Sequence, residues 1–318
     1  MRPSSAALPR RHFLGSGLAS LAIGRTAFAE GQEGFSPLPA QIKVTPFHLT
    51  TPVRINDKGP FQFVVDTGAD RSVIAREIAE TLHMPLGKPV VVQGIIRALP
   101  AESVPVAELR FGSFRCDNLQ MPVLPRAMLQ ADGYLGLDAI GANRVVFDFK
   151  ARTLQVVPPL PSSFIVKGGN NETVIGAPGN EGHLRSFACR VEGVPTVAFV
   201  DTGAEVSVCN EALHSALLRI SAGYAGTREI DLSGITGGSM KGQVLRVQTI
   251  LWSNLEFTGC ELAAADLDVF RVWDLTEMPA LLIGLNFLRQ FQTVSVDYTR
   301  KEFRLRLASS TWVAKKRA

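Results

Sequence analysis

Asp66-Thr67-Gly68-Ala69 and Asp201-Thr202-Gly203-Ala204 are one tetrapeptide used twice, with positions 135 residues apart. Each copy ends an apolar run: Phe61 to Val65, broken only by Gln62, and Val197 to Val200. A carboxylate at the mouth of a buried strand is costly unless something uses it. Two carboxylates in matching contexts can share one proton, because two charges held close together do not both ionise readily. Such a pair can activate water. The ionised acid takes a proton from the water, and the protonated acid hydrogen-bonds the carbonyl under attack. No cofactor is needed for that chemistry, and the chain offers no metal-ligand spacing. His12, His48, His83, His183 and His214 are scattered, and no Cys-x-x-Cys occurs.

The segments that must hold these acids repeat too. Asp70-Arg71-Ser72-Val73-Ile74 follows the first copy and Glu205-Val206-Ser207-Val208-Cys209 the second. Ala131 to Asp138 matches Pro279 to Asn286, and Arg144 to Phe149 matches Thr293 to Tyr298. Each half therefore reads as strand, Asp-Thr-Gly-Ala, a glycine-bearing middle, an apolar-apolar-Gly element and a closing strand. This order resembles the pepsin clan of aspartic proteases, and its retropepsin-like branch most closely, over about residues 44–157 and 184–307.

The resemblance implies an all-β fold, mainly β with short helices, in two retropepsin-like acid-protease β-barrel lobes about a pseudo-twofold axis. It implies Asp66 and Asp201 as the catalytic pair. Thr67 and Thr202 would brace both loops across the interface, while Gly68 and Gly203 let backbone approach the acids. Retropepsins carry one such unit per chain and dimerise; this chain carries both, which implies a monomer. Ala69 and Ala204 stand where pepsin-like enzymes often have Ser or Thr. Without that hydroxyl donor, the pair should keep its shared proton to higher pH. Gly234-Ile235-Thr236-Gly237-Gly238 is close to a Gly-rich retropepsin flap tip, and Gly94-Ile95 is the lobe-one candidate. Leu137 and Leu285 stand where retropepsins often have Arg, so Asp70 and Glu205 are expected to lack that partner. Tyr134, Leu135, Leu282 and Ile283 are read as core under the loops.

Turn residues at 56–60 and 192–195 predict two hairpins, Phe47 to Val65 and Phe187 to Val200. Short helices are expected over Ser72 to Leu82 and Ser207 to Leu218. Alternating or β-branched runs predict strands at Val90 to Ile96, Ser103 to Phe111, Leu119 to Leu124, Val244 to Leu251 and Phe303 to Leu307.

The domain order expected is a twin-arginine signal peptide (1–29), a loose leader (30–43), an N-terminal lobe (44–160), an interlobe linker (161–183), a C-terminal lobe (184–310) and a basic tail (311–318). Arg10-Arg11-His12-Phe13-Leu14 has the twin-arginine order, and Ala27-Phe28-Ala29 gives a small-x-small cleavage site before Glu30. The apolar run between them is too short to span a bilayer, so no stable membrane insertion is expected after cleavage. Arg2, Arg10, Arg11 and Arg25 account for the net charge of +4, since removing four of the 33 Lys+Arg equals the 29 Asp+Glu. Without residues 1–29 the chain thus has no basic character to suggest nucleic acid. Cys116, Cys189, Cys209 and Cys260 fall at positions that are apolar in the other half, and are read as free buried thiols.

The reading is a periplasmic aspartic endopeptidase acting on polypeptide in extended conformation, without cofactor. One alternative is a catalytically idle peptide-binding module on the same fold. A second is a carboxylate-pair hydrolase of non-protein polymers, which would not need the Thr-Gly context.

Overall fold

The computed structural model describes residues 39–44, 48–159, 172–179, 184–308 and 314–316. The signal peptide, its cleavage site and Glu30 lie outside the described residues.

Each half closes a six-stranded barrel. In the first, Leu49–Ile55 and Lys58–Val65 form the opening hairpin, and the ring continues through Gly133–Leu135, Val73–Ala75, Phe114–Leu124 and Ser103–Phe111 back to Leu49–Ile55. In the second, Arg185–Val191 and Val194–Val200 lead through Ala280–Ile283, Val208–Cys209, Leu255–Ala264 and Ser239–Trp252 back to Arg185–Val191. The hairpin turns are tighter than the sequence suggests. Asn56 and Asp57, and Glu192 and Gly193, all take positive φ, as two-residue hairpin turns require.

The short apolar strand of each half lies between the strands on either side of its Asp-Thr-Gly-Ala loop. Tyr134 pairs in parallel with Val64 and antiparallel with Val73. Leu282 pairs in parallel with Phe199 and antiparallel with Val208. The loop therefore leaves one side of this strand and returns on the other, which fixes the acid at the strand end. Here the expected helices are corrected. Val73–Ala75 and Val208–Cys209 are strands, and the helices Arg76–Thr81 and Glu211–Ile220 begin only after them. The β-branched and apolar residues after the loop find two strand partners each before helix propensity can act. Asn210 then caps the second helix, its Oδ1 accepting from Leu213 N at 3.0 Å.

A third sheet joins the lobes, in the order Ala40–Gln41, Thr153–Val157, Arg144–Asp148, Phe291–Asp297, Glu302–Leu307, Glu172–Gly176. At its centre Val146 faces Ser295, and these are equivalent positions of the repeat. The pseudo-twofold axis passes through this pair. Ala40 pairs with Leu154 while Ile175 pairs with Phe303. Ala40 and Ile175 share the spacing of 135 that separates the two copies of the tetrapeptide.

Three segments read as loose in sequence therefore carry strands. Residues 40–41 and 43 of the expected leader, 172–176 of the expected linker and 314–316 of the expected tail are all paired. They are short, and their partners are distant in sequence, so local pattern does not reveal them. The remainder of those segments lies outside the described residues.

All four cysteines are free; Cys189, Cys209 and Cys260 are buried, whereas Cys116 is half-buried. Burial pushes the Cys189 and Cys209 thiols up to about 12, which keeps them protonated and inert. No helix among the described residues is long and apolar enough to cross a membrane.

Candidate active site

Asp66 and Asp201 come together at the lobe boundary, 9% and 5% exposed, and their side chains lie within hydrogen-bonding reach of each other. Each backbone is tied to its apolar strand: Asp66 N–H donates to Leu135 O and Asp201 N–H to Ile283 O, both at 3.0 Å. Gly68 N–H donates to Asp66 Oδ1 and Gly203 N–H to Asp201 Oδ1, both at 2.8 Å. Each glycine also faces the opposite acid. A Cβ on Gly68 would lie 2.8 Å from Asp201 Cγ, and one on Gly203 2.5 Å from Asp66 Cγ. No side chain fits there, so the loops can meet only as glycines.

Burial, then the Asp201 charge, drives the Asp66 carboxyl well above the usual carboxylate range. Backbone donors at Gly68 and Ala69 oppose this. The net direction favours one proton held between the two acids. Ala69 thus contributes an N–H, and neither it nor Ala204 carries a hydroxyl toward the pair.

Thr67 and Thr202 cross the boundary. Each backbone N–H donates to the other's Oγ1 at 3.1 Å. Thr67 Oγ1 donates to Val200 O at 3.2 Å, and Thr202 Oγ1 to Val65 O at 2.7 Å. All of these groups are buried, so the network fixes the position of both loops at once.

A second pair of braces is not apparent from sequence alone. Asp138 Oδ1 accepts from Ser72 N (2.8 Å) and Ser72 Oγ (2.7 Å), and Asn286 Oδ1 accepts from Ser207 N (2.9 Å) and Ser207 Oγ (2.7 Å). The same hydroxyls accept from Gly136 N and Gly284 N. The recurrence of Ser after each loop and of Asp/Asn after each Gly-Leu was the available signal.

Leu285 leaves Glu205 without an Arg at that position, and Arg289, one helical turn later, places its charge on Glu205 instead. Burial raises the Glu205 carboxyl, and Arg289 counters it. The same guanidinium, together with burial, lowers His48, which stands edge-on to Tyr134 at 6.5 Å between ring centroids.

The acids open into a cleft of about 610 Å³ between the lobes. Tyr134 and Leu282 form part of its floor, while Leu135 and Ile283 remain in the core. Both flap candidates reach it. Gly94–Arg97 is the turn between Val90–Gln93 and Ala98–Ala101, and Gly234–Gly238 joins Arg228–Ser233 to Ser239–Trp252. Gly94, Ile95, Gly234 and Ile235 line the cleft; Gly237 and Gly238 instead lie against Arg97.

The two tips interlock. Arg97 Nε donates to Thr236 O at 3.1 Å, and Thr236 Oγ1 donates to Arg97 O at 2.7 Å. Each tip also crosses to the other lobe. Ile95 packs on the apolar cluster of lobe two and accepts at its carbonyl from Val269 N, and Gly237 lies so close to Met128 of lobe one that a Cβ there would be 3.1 Å from its methyl. Thr236 lies within the flap-tip motif, but Arg97 carries none, and only the fold brings the two together.

A family model described as aspartyl protease matches residues 51–139 and 187–287, one stretch in each lobe. The chain belongs to this family. The two matches fit a two-lobed retropepsin-like protein, and each spans its Asp-Thr-Gly-Ala loop. Membership makes the chain a protease at the level of class and polypeptide the class of substrate. No curated protein matches the chain.

Proposed function

We propose that this protein is a single-chain aspartic endopeptidase in which Asp66 and Asp201 activate one water against a peptide carbonyl. The observation that carries the reading is the shared, buried environment of the two acids: burial and mutual charge favour a single proton between them. A water held by the pair would lose its proton to the ionised carboxylate as it attacks. The other acid would donate to the carbonyl oxygen; as the bond breaks, the pair would pass one proton to the leaving nitrogen and recover one from a hydroxyl of the tetrahedral intermediate. The roles exchange within a cycle, so neither acid is assigned a fixed one.

An extended peptide would lie in the cleft beneath the two tips, pairing with the flap strands through its backbone. Opening of the Arg97–Thr236 contact would admit it. Because one chain contributes both acids, the active unit is a monomer. The twin-arginine order and small-x-small site support a periplasmic location after signal removal. The test is digestion of a peptide library by the purified mature chain, with light scattering on the same sample. Cleavage by monomer supports the reading. Peptide binding without cleavage would favour an idle binding module instead.

A further inference from the structure

The two sides of the cleft are built from equivalent loops that differ in charge. Five residues after each acid, lobe one carries Arg71 and lobe two carries Val206, and both line the cleft. The pseudo-twofold axis places them on opposite sides of the dyad.

The acids of the cleft have cationic or other partners. Asp231 pairs with Lys241 at 2.8 Å, Glu205 takes the charge of Arg289, and Asp70 is engaged as well. Arg71 is exposed and has no ion-pair partner among the described residues. Its charge is felt at Asp138, whose carboxyl is already occupied by Ser72. The guanidinium is therefore a fork of donors open to the cleft.

The neighbouring walls extend the asymmetry. From the helix Asp268–Val272 and its C-terminal end, lobe two presents Val269, Val272 and Trp273, with Trp273 set edge-on against Phe199 at 4.5 Å between ring centroids. The equivalent helix of lobe one, Arg126–Leu129, presents Met128 and then the polar Gln130. Lobe two thus supplies an aromatic side chain to the lining where lobe one supplies Gln130.

We propose that Arg71 is a specificity-determining residue. It selects a substrate side chain bearing a carboxylate on one side of the scissile bond. This rests on the endopeptidase reading. A carboxylate matches the planar guanidinium in two hydrogen bonds, whereas an amide cannot supply the opposite charge.

The experiment compares kcat/KM for peptide pairs that differ only as Glu against Gln at each position around the cleaved bond. The native chain should prefer Glu about ten- to a hundred-fold at one position on one side only, the range of a hydrogen bond to a charged group. In Arg71→Met this ratio should fall to about one, and in Arg71→Glu it should invert in favour of Gln. Val206→Arg should create a second Glu preference at the mirrored position. A native ratio near one at every position, or a ratio unchanged in Arg71→Met, overturns the assignment while leaving the endopeptidase reading intact. Cleavage of no peptide by the native chain overturns both.

Discussion

Thr67 and Thr202 bind each other's backbone across the lobe boundary, in bonds of equal length related by the pseudo-twofold axis. Each hydroxyl then donates to the carbonyl of the residue just before the opposite acid, Val200 or Val65. The acids are thus positioned by residues from the other lobe. Thr202→Val keeps the shape but leaves the Thr67 N–H and the Val65 carbonyl buried without that partner. The loss should be about 1–3 kcal/mol, read as a lower midpoint in chemical denaturation. Thr67→Val should cost less, because its outgoing bond is longer. Two neutral variants would show that the network does not hold the lobes.

Asp138→Asn should be tolerated. Lobe two performs the same bracing with Asn286, whose amide oxygen accepts both Ser207 donors. Burial already disfavours charge at Asp138. Asp138→Ala should instead lower stability by about 1–3 kcal/mol, since Ser72 loses its acceptor. Thermal unfolding of both variants would decide, and equal damage from both would mean that the charge itself is needed.

The dyad should make stability fall as pH rises. Asp66 has a folded pKa above its unfolded value of 3.8, so the folded chain binds more protons between the two. The stabilisation is present below 3.8 and is lost as pH climbs through the raised value. Asp66→Asn removes this titration and the repulsion from Asp201. Its melting temperature should therefore gain on the native chain between about pH 4 and pH 7. A gap that stayed constant over that range would mean the pair is not coupled.

Gly94→Ala should disturb the flaps without unfolding the lobes. Its Cβ would collide with Thr236 Oγ1 and meet Arg97 O at 3.0 Å, which separates the interlocked tips. We expect kcat/KM on a long peptide to drop about tenfold or more, as misplaced substrate contacts do. Melting should change little. Unaltered kinetics would mean the tips do not need to meet.

What could be read in the sequence was what repeats locally. The Asp-Thr-Gly-Ala loops, the apolar-apolar-Gly strands and the hairpins each carry their pattern within a few residues. Ser72 and Ser207 were visible in the same repeat, but their acceptors lie 66 and 79 residues away, and spacing alone does not pair them. Strands Ala40–Gln41 and Glu172–Gly176 gain their pairing only at the edges of the sheet shared by the lobes. The helices after each loop start late because Val73-Ile74 and Val208-Cys209 are claimed first by strand partners. Arg289 escaped notice because its partner is met by folding, one turn beyond the expected place.

The most direct test is turnover by Asp66→Asn and Asp201→Asn, each measured separately on protein shown by circular dichroism and melting to be folded. If the two acids share one proton and one water, neither acid alone can both activate the water and donate to the carbonyl. Both variants should lose cleavage by several orders of magnitude while still binding peptide. Near-native turnover in either one would contradict the shared dyad.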